Sequence, residues 1–131
     1  MVRYWYALVL LLLPVLGHGQ SSSGYLERTE KALKGSDYKA LSLEGAAMIE
    51  LGLPGQNRTT YSQTQAEFVL KEFFKKTPST GFRYLHRVLD REDLKFAVGE
   101  YSYTGGTYRV TLVYKPQSGA YKLVSIVFER Q

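Results

Sequence analysis

Apolar and polar positions along the chain follow two periods, one helical and one alternating. The clearest helical stretch runs from Ser62 to Thr77. At about 100° per residue, Ala66, Val69, Leu70, Phe73, Phe74 and Thr77 share one face, while Glu67, Lys71, Glu72, Lys75 and Lys76 take the other. Ser62 and Gln65 have capping-box spacing, and Pro78 cannot continue the helix. Phe68 is the exception, an aromatic residue on the charged side, where it meets another helix or contributes to an interface. Upstream, Tyr25–Lys34 repeats at helical spacing through Tyr25, Leu26, Thr29, Ala32 and Leu33, with Gly35 placed to end the helix. Ser36 or Asp37 can cap a short helix over Tyr38–Leu43.

The alternating segments read as strands. Ala47–Leu53 is the first, with Ala47, Ile49, Leu51 and Leu53 on one side, followed by a turn at Pro54–Asn57 and a short extended piece at Arg58–Tyr61. After Pro78 come Phe82–Leu89, Lys95–Tyr103, Thr107–Lys115 and Ala120–Arg130, joined by hairpins. A tight turn at Gly105-Gly106 predicts Tyr101 opposite Val110 and Gly99 opposite Leu112. The predicted core face carries Leu85, Leu89, Ala97, Gly99, Tyr101, Val110, Leu112, Tyr114, Tyr121 and Leu123. In the last strand Tyr121 and Leu123 fit one phase and Ile126 and Phe128 the other. A β-bulge near Val124–Ser125 reconciles them. The order helix, short helix, strand, long helix, four strands predicts an α+β fold. Its N-terminal helices and one long helix pack on a curved, mostly antiparallel sheet, forming a cone.

Composition narrows the picture. The chain has 131 residues, a net charge of +5, eleven tyrosines and no cysteine. The charge excess is small and scattered, as on a solvated surface, and no nucleic-acid partner is expected. Without cysteine there are no disulfides, thiolate metal sites or cysteine nucleophiles, and one strand histidine alone does not make a zinc site. Neither metal nor cofactor is expected. Arg3, the apolar run Ala7–Leu16 and the small residues of Gly17-His18-Gly19 read as a signal peptide over residues 1–19. That leaves a single domain over 20–131, exported to the periplasm or secreted. The apolar run is short of the ~20 residues that span a bilayer, so no membrane attachment is expected after cleavage.

The chain resembles a family of small exported proteins of Bacteroidota, domain of unknown function 4783. The resemblance lies in Ile49-Glu50-Leu51-Gly52-Leu53-Pro54-Gly55; Tyr61-Ser62 with Gln65-Ala66-Glu67, Leu70 and Phe73-Phe74; His86; Ala97 and Gly99; Tyr108-Arg109-Val110; and Tyr121 with Leu123. The order of elements is similar to that of nuclear transport factor 2, ketosteroid isomerase and scytalone dehydratase. The resemblance implies an NTF2-like (cystatin-like) cone and an exported location; it implies no catalytic residue.

The residues leave two functions open. One is a non-catalytic module that uses its cavity or open sheet face to bind a small ligand or a protein partner, a second copy of itself included. Tyr84, His86, Tyr101 and Arg109 are the ligand-binding candidates. The alternative is a small isomerase- or dehydratase-like enzyme. A hairpin loop over Asp90–Leu94 would set Val98 opposite His86 and Glu100 opposite Tyr84, bringing His86, Tyr84 and Glu100 together as an acid–base group. Arg83 and Arg87 share a strand face and could hold an anion.

Overall fold

The computed structural model describes residues 20–131 apart from Glu92, with residues 20–23 described in their backbone only. The expected signal peptide at 1–19 lies outside the described residues. No helix among the described residues is long and apolar enough to cross a membrane.

The elements follow the expected order: α1 (Gln20–Lys34), α2 (Tyr38–Leu43), β1 (Gly45–Gly52), β2 (Thr59–Ser62), α3 (Gln63–Lys76), β3 (Ser79–Arg91), β4 (Leu94–Tyr103), β5 (Gly106–Gln117) and β6 (Ala120–Arg130). Each helix forms for a local reason. In α1, all five residues of the predicted apolar face are buried. Asp37 caps α2 by accepting the Ala40 N–H at 3.0 Å. Both bonds of the capping box at α3 are present: the Gln65 N–H donates to the Ser62 hydroxyl, and the Ser62 N–H donates to the Gln65 side chain.

The sheet has six strands in the order β2-β1-β6-β5-β4-β3. Its neighbours are antiparallel except β1 and β6, which run parallel. Tyr114 pairs with Leu123 and Val113 with Ser125, which leaves Val124 as the extra residue. This is the bulge the change of phase predicted, and it keeps Leu123, Ile126 and Phe128 all on the core side.

Two expectations are corrected. The β4–β5 turn closes one residue earlier, over Thr104-Gly105, so Tyr101 faces Tyr108 and Gly99 faces Val110. That is a slip of two positions in pairing, which preserves which residues face the core. In β3 the register breaks between Tyr84 and His86. The extra residue, Leu85, reverses the facing of what precedes it, so Phe82 is buried, and a second break between His86 and Leu89 turns Leu89 outward, 52% exposed. The room that Gly99 leaves on the core face is taken by the Phe82 ring from the neighbouring strand.

Phe73 and Phe74 of α3 meet Tyr101 and Phe128, and Phe73 also meets Tyr108. α1 lies against β3 and β6, with Tyr25 edge-on to Tyr114. The interior of the cone is therefore filled by aromatic side chains.

Candidate functional site

The sequence candidates do not converge. The break at Leu85 sets Tyr84 opposite Gly99 and His86 opposite Val98, so the two side chains leave opposite faces of the sheet. The Val98–His86 pairing is as expected; the Glu100–Tyr84 pairing is not. Glu100 faces Arg83 instead and accepts from its guanidinium at 2.9 Å. The other Glu100 oxygen accepts from the Gln131 amide at 3.3 Å. His86 is exposed, and its imidazole makes no hydrogen bond among the described residues. The proposed acid–base group of His86, Tyr84 and Glu100 is thus divided between the two sides of the sheet, because one inserted residue reverses the alternation.

Tyr84 and Tyr101 serve the interior. The Tyr84 hydroxyl donates to the Leu26 carbonyl of α1 at 2.7 Å. Beside it, the Tyr114 hydroxyl donates to Thr29 Oγ1, which donates in turn to the Tyr25 carbonyl. Tyr101 is fully buried and donates to the Thr77 carbonyl at 2.6 Å, with Ser36 Oγ 3.5 Å away. Ser36 holds a positive φ of 53° and accepts the Ser79 N–H at 2.8 Å. These hydroxyls bind the helices to the sheet, and each has its partner.

Burial raises the pKa of Tyr84 and Tyr114 above the ordinary tyrosine value. The folded state keeps both neutral where an unfolded tyrosine, near 10, would ionise. Their contribution is therefore complete below about pH 10 and is lost as pH rises through the folded values. Denaturant unfolding between pH 9 and 11.5 should show stability falling by up to about 1.4 kcal/mol per pH unit for each such tyrosine. The Y84F/Y114F variant should lose stability less steeply. An equal slope in both proteins would contradict the assignment.

Arg109, the fourth ligand candidate, is exposed and lies opposite Glu100 on one side and Glu129 on the other. Arg83, Glu100, Arg109 and Glu129 thus form one transverse row of alternating charge on the outer face. Arg83 and Arg87, the candidates for holding an anion, are each paired with a carboxylate, Arg83 with Glu100 and Arg87 with Glu27.

Open concave surface lies instead on both sides of the Leu53–Gln56 turn. Pro54 and Gly55 occupy its centre, Gly55 with φ +77°, and the Gln56 N–H closes it on the Leu53 carbonyl at 3.0 Å. The combination of proline followed by glycine at positive φ is that of a type II turn, which is stiff. Between the turn and α3 is a cleft of about 430 Å³. Leu53, Tyr61, Val69 and Phe73 form its walls, Phe68 is at its mouth, and Gln56, Glu72 and Lys76 supply polar groups. On the other side, a cleft of about 360 Å³ lies between the turn and the end of β6, with Arg58 and Arg130 in its lining. Sequence reasoning marked Phe68 as anomalous and Pro54-Gly55 as a turn. That the two meet depends on how α3 lies beside β1, which local pattern does not contain.

Comparison with known proteins agrees with this architecture. Residues 26–129 match the family described as domain of unknown function (DUF4783). No curated protein matches the chain. A DUF4783 family protein from Bacteroides ovatus superposes with a TM-score of 0.74 at 24% identity, covering 79% of this chain and 93% of that one. One from Bacteroides uniformis gives 0.74 at 19% identity, covering 80% and 95%. A protein of the NTF2-like family from Streptomyces avermitilis, named as a dehydratase candidate, gives 0.61 at 13% identity, covering 82% and 91%. At these identities the structural likeness establishes the fold, an NTF2-like cone. With the family matched over most of its length, the chain belongs to the DUF4783 family.

Proposed function

We propose that this protein is a non-catalytic exported binding module whose ligand occupies the cleft between α3 and the Leu53–Gln56 turn rather than the interior of the cone. The observation that carries this reading is Phe68. It is 60% exposed on the otherwise charged side of α3, at the mouth of a cleft walled by Leu53, Tyr61, Val69 and Phe73. Apolar surface left in water costs about 25 cal/mol per Å², which a ligand covering it recovers. The cleft is within the usual size for small-molecule sites, and its few polar groups can orient a ligand with an apolar body and a polar end. Export rests on the apolar run behind Arg3 and the small residues before Gln20.

The test is binding of 1-anilinonaphthalene-8-sulfonate, followed by amide chemical shifts. Shifts should concentrate on Tyr61, Phe68, Val69 and Phe73, and Phe68→Ser should weaken binding about tenfold while thermal unfolding stays unchanged. Shifts concentrated around His86 and Arg109, or full binding by the serine variant, would overturn the assignment. Fractionation of the native host checks export: a cytoplasmic protein retaining residues 1–19 would refute it.

A further inference from the structure

The second cleft, on the β6 side of the turn, has the features of a strand-docking site. β6 is paired unevenly along its length. Its pairing with β1 stops at Gly52 opposite Val127, where β1 turns away into Leu53–Gln56. Its pairing with β5 continues to Arg130 opposite Tyr108. Over Phe128–Arg130, β6 therefore has a neighbour on one side only. No backbone hydrogen bond joins the turn to this segment among the described residues. In a strand, successive N–H and C=O groups point to alternate sides, so this stretch of roughly 10 Å presents unused backbone groups to the cleft. A row of this kind is a template for an added strand. It is also held rigid, because the Phe128 side chain is buried in the core.

The cleft has a charge preference as well. Arg58 and Arg130 line it, and neither forms an ion pair among the described residues, unlike Arg28, Arg83 and Arg87. Glu129 is the one carboxylate side chain in the lining and lies opposite Arg109 of β5. The placement of Arg58 depends on Gly52. A Cβ there would lie 3.2 Å from Arg58 Cγ, so the missing side chain lets the arginine stem lie close over the strand end. The two clefts share Leu53 and Gln56, so an occupant of one adjoins the other across the turn.

We propose that the partner is an extended polypeptide segment bearing a carboxylate. Its backbone pairs with β6 over Phe128–Arg130, its carboxylate is held by Arg58 and Arg130, and an apolar side chain crosses the turn towards Phe68. The backbone bonds supply affinity without regard to sequence, and the arginines and apolar cleft supply selection. The proposal rests on the reading of the Phe68 cleft for its apolar anchor and adds the chemical class of the partner.

Selection from a displayed library of random heptapeptides with free C-termini, using the folded protein as bait, tests it. The selected peptides should be enriched in acidic and large apolar residues. They should slow hydrogen exchange at the backbone amides of Phe128–Arg130 and bind at least tenfold more weakly to the R58M/R130M variant, whose thermal unfolding should match that of the parent. Peptides that bind through the Phe68 cleft, with no protection at Phe128–Arg130 and no dependence on the two arginines, would overturn strand pairing and leave the cleft reading standing. Recovery of no binding peptide would overturn the peptide partner, while dye binding at Phe68 would leave the cleft reading standing. Protection of Phe128–Arg130 that appears only as protein concentration rises, without peptide, would make a second copy of the chain the occupant and overturn the proposal.

Discussion

Replacing Phe73 with alanine should lower the stability of the protein by about 3–5 kcal/mol, the range for removing a buried aromatic ring. Phe73 sits where α3 meets the sheet. Its ring centre is 4.7 Å from that of Phe128, 5.7 Å from Phe74, 5.9 Å from Tyr108 and 6.2 Å from Tyr101. Five aromatic rings in tilted contact make a site that collapses poorly, since no one ring can move into the space without losing its own partners. The melting temperature should fall by roughly 10–25 °C for a domain of this size. Equilibrium denaturation checks this, with Phe68→Ala as the comparison. Phe68 is exposed, so its truncation should change stability by no more than about 0.5 kcal/mol. A loss below about 1 kcal/mol for F73A would contradict the placement of α3.

Adding a single methyl group at Gly99 should also destabilise the fold. A Cβ there would stand 2.5 Å from Cζ of Phe82 and 2.7 Å from the carbonyl oxygen of Arg83. The first contact could ease if the ring moved, but the ring is buried and edge-on to Tyr84 at 5.0 Å. The second is backbone within a paired strand and cannot move without breaking the β3–β4 ladder. Overpacking of this kind costs about 1–3 kcal/mol, and the modest gain from replacing a strand glycine with alanine does not offset it. Gly99→Ala should therefore destabilise by about 1–2 kcal/mol net in denaturant titration. Gly81→Ala, where a Cβ would meet nothing within 4 Å, should be neutral within about 0.5 kcal/mol. Equal effects at the two glycines would show that Phe82 does not cover Gly99.

These positions also show which parts of the fold local pattern encodes. The buried faces of α1 and α3, the capping box at Ser62 and the bulge at Val124 were all legible, because each depends on residues a few positions apart in the chain. In β6 the phase of the apolar residues changes once, and only an inserted residue restores it. β3 offers no such signal. Phe82 and Tyr84 are apolar in one phase, Leu85 and Leu89 in the other, so either alternation buries a comparable surface. The phase is decided by the neighbouring strand, where Gly99 accommodates the Phe82 ring. That choice moved Tyr84 inward, away from His86 and Glu100 on the outer face, and dispersed the expected acid–base group. The β4–β5 hairpin failed in a gentler way. Adjacent glycines allow the turn to close at either of two places, but the two registers differ by an even step and leave the core face intact. The cleft beside α3 was legible only as an unexplained Phe68. Its walls come from consecutive elements, Leu53 after β1, Tyr61 of β2 and Val69 and Phe73 of α3, but how these lie against one another is a matter of side-chain packing in three dimensions.

The breaks in β3 have a further consequence, for how molecules of this protein coexist at high concentration. With 13 residues, β3 is the longest strand and lies at one margin of the sheet. A long, flat margin invites other chains to add to it and to propagate fibres. β3 is interrupted at three places in its pairing with β4 and exposes Arg83, Arg87, Asp90 and Arg91 along its length. The opposite margin, β2, is four residues long and too short to seed much. The irregularity that separates Tyr84 from His86 thus also bends the exposed margin, which with its charges disfavours stacking of copies along it. If the bulge were straightened by deleting Leu85, aggregation on standing would be the first sign.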